Sequence, residues 1–197
     1  MTRRNLLFAV VVVLLLAGIA IFQYNMPPLI HGSIIEPPKA MPDFTLQSAH
    51  GPVSLSDFRG KIVVLYFGYI SCPDVCPTTL AGLRQALNNL GKSADQVQVL
   101  FVSVDWKRDT PDKMASYVSA YRPDFIGLSG SQEQIDAVTR DFGIFYQLNP
   151  PDANGFYSVD HTASVQILDR QGNLIMTWPY GLSPADLLDD LKVLVRK

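Results

Sequence analysis

The chain has 197 residues and carries 16 Lys and Arg against 18 Asp and Glu, a formal net charge of −2 with the histidines neutral. Its longest basic run is Lys107-Arg108, so it lacks the clustered positive charge of a nucleic-acid surface, and it has no Gly-rich phosphate loop. The length allows one domain with a proper core after a short N-terminal segment.

Arg3 and Arg4 precede an uncharged run from Leu6 to Phe22. That run sits near the lower limit of about 17 residues for a membrane-spanning helix and is long for a secretory h-region. Residues 1–24 are therefore expected to form a membrane anchor. The arginines would stay on the cytoplasmic side and the remainder would be exported. Gly18-Ile19-Ala20 leaves a cleaved signal as the alternative. Residues 25–42 hold Pro27, Pro28, Pro37, Pro38 and Pro42, the composition of a semi-rigid extended linker. Residues 43–197 form the folded domain, in which acidic residues outnumber basic ones.

Phe44-Thr45-Leu46 and Val53-Ser54-Leu55, parted by Gly51-Pro52, predict a β-hairpin. Ile62 to Tyr69 is almost wholly apolar and predicts a central strand covered on both faces. Leu80, Leu83, Leu87 and Leu90 recur at helical spacing within Thr78–Leu90. Val97–Val104 predicts a second central strand. A helix then opens with Thr110 as cap and Pro111 at its first position. Phe125–Leu128 predicts a short strand, and Ser131 caps a helix to Phe142. Phe156–Val159 and Thr162–Leu168 are expected to pair with each other, followed by Leu174–Trp178 and a last helix from Ser183 that buries Leu187, Leu188, Leu191 and Leu194. A β-α-β core followed by β-β-α predicts a thioredoxin-like α/β fold, with an N-terminal hairpin and an inserted strand and helix.

The only cysteines, Cys72 and Cys76, lie in Ser71-Cys72-Pro73-Asp74-Val75-Cys76-Pro77, between the first central strand and the first helix. Exported domains usually oxidise such a pair, but a bridge closing so short a loop removes little unfolded-state entropy. A functional dithiol is the better reading. Cysteines four residues apart at a helix start share one face, and the helix N-terminus favours thiolate. The tighter C-x-x-C is the usual redox element, whereas this spacing suits either a disulfide or two thiolates on one ion.

His161 stands at a strand entry in Val159-Asp160-His161-Thr162. In a thioredoxin-like fold that loop faces the thiols, and oxidoreductases carry a cis-proline there. No proline occurs between Pro151 and Pro179. Two thiolates and one imidazole suit Cu(I), can accommodate Cu(II), and fall one ligand short of structural zinc. A hydrogen-bonded loop histidine is the bland alternative. Asp105 ends a central strand, where α/β sites assemble, or simply caps a turn. Asp74 and Asp160 read as solvated loop carboxylates, His31 and His50 as exposed, and Met26, Met41, Met114 and Met176 as scattered spacer and core residues.

These motifs together resemble the Sco/SenC family of copper chaperones for cytochrome c oxidase assembly. The similarity runs from the N-terminal anchor through Phe67-Gly68-Tyr69 and the cysteine motif, then Val102-Ser103-Val104-Asp105 with Arg108-Asp109-Thr110-Pro111, to Val159-Asp160-His161-Thr162-Ala163-Ser164. The resemblance implies copper held by Cys72, Cys76 and His161, an upstream copper donor, and delivery to the dinuclear copper site of oxidase subunit II or another cuproprotein acceptor. It also implies an inner-membrane location with the domain in the periplasm. Trp106 replaces a proline common in relatives, so the loop beside Asp105 is expected to differ. Thiol–disulfide reduction, with Cys72 and Cys76 as the redox pair, is the competing function, and a non-catalytic domain with a structural bridge the third.

Overall fold

Every residue of Ile62–Gly68 and of Val97–Ser103 is buried, and these two segments pair in parallel at the centre of the sheet in the computed structural model. The structure describes residues 29–196 and, before them, positions 5, 12, 14, 15, 17 and 18. The anchor expected over 1–24 lies almost wholly outside the described residues. Among those described, no helix is long and apolar enough to cross a membrane.

The strands are β1 (Ser33–Ala40), β2 (Thr45–Ser48), β3 (Gly51–Ser54), β4 (Ile62–Gly68), β5 (Val97–Ser103), β6 (Ile126–Leu128), β7 (Tyr146–Leu148), β8 (Val159–His161), β9 (Val165–Leu168) and β10 (Asn173–Trp178). Six of them form one mixed sheet in the order β1-β10-β9-β4-β5-β6. The helices are α1 (Val75–Leu90), α2 (Pro111–Ser119), α3 (Gln132–Phe142) and α4 (Pro184–Leu194), with α1 packed against α4. Helix starts follow the expected caps. Thr110 and Ser131 accept from Lys113 N and Gln134 N, and Ser183 accepts from Asp186 N. Gly143, left-handed at φ 67°, ends α3. The fold is the thioredoxin-type α/β arrangement.

Three expectations need correction. The linker assigned to 25–42 begins outside the described residues, and its second half is not free: β1 pairs antiparallel with β10 as the sheet's edge. Prolines cannot donate to a ladder and are tolerated at edges and bulges, and here Pro37 and Pro38 fall where the register breaks between Ile34 and Lys39. Phe156–Val159 and Thr162–Leu168 do not pair with each other. Instead β8 pairs with β7, a strand the sequence reading lacked, while β9 pairs with β4 and β10. His31 is half-buried: its Nδ1 lies 3.3 Å from Asp186 Oδ1, and its backbone N donates to the buried Asp190.

Candidate metal centre

Cys72 and Cys76 sit where β4 hands over to α1, and both are free thiols. The helix begins earlier than its leucine spacing indicates, at Val75, so Cys76 lies in its first turn. Cys72 precedes the helix, in a turn closed by its own N–H donating to Tyr69 O at 3.3 Å. A shared helical face is therefore not what brings the sulfurs together. The turn folds Cys72 back over the helix start.

The third group arrives from the small β7–β8 sheet, in which His161 is registered opposite Tyr146. Thr162 locks this edge: its N–H donates to Phe145 O at 2.9 Å, and its hydroxyl accepts from Phe145 N at 3.0 Å. His161 Nδ1 lies 3.1 Å from Thr162 O and Nε2 lies 3.4 Å from Cys76 Sγ. With the proton on Nδ1 and donated to the carbonyl, Nε2 faces the sulfurs with its lone pair free. Burial holds the imidazole below its usual pKa, opposed by the Thr162 carbonyl and by Asp160, so the ring is neutral near pH 7. Tyr69 meets the ring edge-on at 5.8 Å and Tyr66 at 6.4 Å, fixing its plane.

One donor atom from each of Cys72, Cys76 and His161 lies within 4.8 Å of the other two. A trigonal ion with metal–sulfur bonds of about 2.3 Å holds its ligands roughly 4 Å apart, so a soft ion fits after shifts of less than about 1 Å in the spacing of the trio. The surroundings depart from expectation in one respect. Cys76 is fully buried, and burial pushes its thiol up to about 12 despite the helix N-terminus and a hydrogen bond from the Tyr66 hydroxyl. Desolvation of an anion outweighs the half-charge of a helix end. The metal-free protein thus keeps Cys76 as a thiol, and an incoming cation must displace the proton.

Asp105 does not join the trio. It is wholly buried, and its carboxylate accepts from the Tyr157 hydroxyl at 2.7 Å and from Arg108 Nε. Residues 105–109 make one tight turn in which Arg108 N and Asp109 N both donate to Asp105 O, at 3.1 and 3.0 Å. Asp74 and Asp160 are exposed, as expected, and Met41, Met114 and Met176 are core residues.

Several residues that matter here escaped the sequence reading. The Tyr66 hydroxyl donates to Cys76 Sγ at 3.6 Å. Asp109 accepts from Ile70 N at 3.0 Å and from the Ser103 hydroxyl at 2.6 Å, tying the loop that carries Cys72 to the end of β5. The Arg108 guanidinium lies 3.6 Å over the Tyr157 ring and 6.0 Å from that of Tyr69. Their positions inside Tyr66-Phe67-Gly68-Tyr69 and Arg108-Asp109-Thr110-Pro111 were the available signal.

Residues 33–196 match the SCO1/SenC family model. The chain belongs to the SCO1/SenC family. It is 34% identical over 152 residues to an SCO2-like protein of Rickettsia felis, covering 76% of this chain and 74% of the relative. Among solved structures, apo Sco1 of Thermus thermophilus superposes with a TM-score of 0.78 at 40% identity, covering 85% of this chain and 98% of that one. The copper-bound ScoI of Bradyrhizobium japonicum gives a TM-score of 0.72 at 35% identity, covering 79% and 99%. The β7–β8 unit and the Asp105 turn of this SCO1/SenC protein are thus parts of a domain whose solved relatives include a copper-loaded form.

Proposed function

We propose that this SCO1/SenC protein is a copper chaperone, holding the ion between Cys72, Cys76 and His161 and passing it to an acceptor cuproprotein, the dinuclear copper site of oxidase subunit II being the favoured target. The observation that carries the reading is the convergence of two thiols and a neutral imidazole on one point. Two soft sulfurs and one nitrogen favour Cu(I), and accept Cu(II), over hard cations. Three ligands leave the ion open to an incoming thiolate or imidazole, which is what transfer by ligand exchange requires. The related ScoI that binds copper supports the same assignment.

The apolar run from Leu6 to Phe22 supports single-pass anchoring in the inner membrane with the domain in the periplasm. Anchoring would confine delivery to acceptors near the bilayer surface and raise their effective concentration. Metal analysis of the reduced protein tests the reading. About one copper per chain is expected, lost in Cys72→Ser or Cys76→Ser and strongly weakened in His161→Ala. Full-strength binding by His161→Ala would remove the imidazole from the site.

A second reading is favoured by the two free, adjacent thiols. In thiol–disulfide reduction the Cys72 thiolate attacks an acceptor disulfide, and Cys76 then displaces the acceptor sulfur. The acceptor leaves as a dithiol, and Cys72–Cys76 becomes the disulfide. Copper and disulfide cannot share the pair, so oxidation should abolish Cu(I) binding. Mixing copper-loaded protein anaerobically with a reduced acceptor separates the roles. Appearance of the dinuclear copper absorption supports delivery. No transfer, together with efficient acceptor reduction by the metal-free protein, would make this a reductase.

A further inference from the structure

We propose that the end of the domain opposite the metal centre is a membrane-docking face that seats on anionic lipid headgroups and takes acyl-chain surface into an apolar groove. This rests on the anchored reading given above. A cavity of about 580 Å³ opens between β1, the start of β10 and the end of α4, lined chiefly by aliphatic side chains, Ile30, Ile34, Ile175 and Leu194 among them, with Glu36, Asp169 and Arg170 at its polar side. It exists because β1 bulges away from β10 between Ile34 and Lys39 instead of closing on it. Leu29 and Ile34 beside it are 71% and 56% exposed. Large aliphatic side chains left in water at the rim of an apolar cavity mark an interaction surface.

The charge around the groove fits one occupant. Arg170 joins this end of the molecule, donating to Gly60 O, Gln96 Oε1 and Val195 O, so the segments before β4 and β5 and the end of α4 lie together. Arg59, Lys92, Lys192 and Arg196 are exposed on these segments and Lys61 is half-buried there, while Lys39 is exposed on the neighbouring β1. The acidic groups there are fewer. Asp169 is taken up by its own turn, Asp57 accepts from Ser54 N, Asp189 pairs with Lys192, and Glu36 and Asp95 remain in solvent. At the opposite end Asp74, Asp112, Asp152 and Asp160 reach solvent against two exposed lysines, Lys107 and Lys113. In a domain acidic overall the groove end is therefore the more positive of the two, and an anionic surface favours it.

The covalent connection points the same way. Only Gln23 to Leu29 separate the apolar run from Ile30 in the groove wall. At about 3.5 Å per residue they reach under roughly 30 Å, so an inserted run holds the groove beside the bilayer. Docking there would aim Cys72, Cys76 and His161 away from the lipid, toward an acceptor's exported domain.

The test uses the full chain with Ile34→Trp, reconstituted in vesicles of brominated phosphatidylcholine mixed with phosphatidylglycerol. Bromine in the acyl region should quench emission from the introduced indole beyond the quenching seen in the unsubstituted protein, which carries only Trp106 and Trp178. The excess should vanish at high salt, in vesicles without phosphatidylglycerol, and in the Lys39→Glu/Lys192→Glu/Arg196→Glu background. Protein that floats with the vesicles but shows no excess quenching overturns docking and leaves anchoring intact. Protein that does not float overturns both. A blue shift that grows with protein concentration but is insensitive to bromine assigns the groove to a second copy and also overturns the proposal.

Discussion

Gly68 stands directly against Cys76: a Cβ built on this glycine would lie 2.5 Å from Cys76 Sγ and 2.8 Å from Phe101. The strand backbone itself is the floor beneath the buried sulfur, and no side chain fits between them. Gly68→Ala should therefore push Cys76 off its position. Overpacking of this kind costs about 1–3 kcal/mol, which chemical denaturation would register. Cu(I) affinity should fall at the same time. A variant that keeps native copper affinity would show that the sulfur position tolerates displacement.

Tyr66→Phe removes the hydroxyl that donates to Cys76 Sγ and changes nothing else in shape. A net loss of about 1 kcal/mol in stability is expected. The more telling effect is spectroscopic. A hydrogen bond withdraws electron density from a ligating thiolate, so its loss should shift the sulfur-to-Cu(II) charge-transfer band to lower energy. An unmoved band would mean that the hydroxyl does not touch the metal-bound sulfur.

Asp109→Ala should uncouple the Cys72 loop from β5. Ile70 N and the Ser103 hydroxyl would both lose their acceptor in a buried setting, at a cost of about 1–3 kcal/mol each. Backbone amides from Ile70 to Cys72 should then exchange faster with deuterium in the metal-free protein. Exchange that is unchanged there would relieve Asp109 of this positioning role.

Thiol chemistry in the metal-free protein should be unequal. Cys72 is 8% exposed and Cys76 is fully buried, with a thiol held up at about 12. Iodoacetamide at neutral pH should label Cys72 first, read by mass spectrometry of the two sites. The same raised value affects stability at alkaline pH. Between the ordinary 9.0 and about 12 an unfolded chain has released this proton and the folded one has not, so stability falls as pH rises through that window.

His161 acts in the opposite range. Burial keeps its folded pKa below 6.5, so on acidification the unfolded chain takes up a proton first. Stability should decline as pH drops below about 6.5, and His161→Gln should flatten that part of the thermal-melting profile. A profile identical in the two proteins would place the acid sensitivity elsewhere.

Local chemistry was legible in the residues themselves. The apolar runs at Ile62 and Val97 marked strands covered on both faces, Thr110, Ser131 and Ser183 marked helix starts, and two cysteines with His161 marked the donor set. Each of these rests on period, capping or ligand type, which neighbours along the chain decide. Pairing partners were not legible. That β1 would close the sheet against β10, and that β8 would leave β9 for β7, depends on which distant edge is vacant, and alternation in one strand says nothing about that. Protonation was equally hidden. The sequence put Cys76 at a helix N-terminus, which favours thiolate, but its burial between Gly68, Tyr66 and His161 reversed the balance. Sequence determined which atoms could bind a soft ion. Tertiary structure alone decided how deeply each is withdrawn from water, because desolvation depends on segments 85 residues apart meeting at one point.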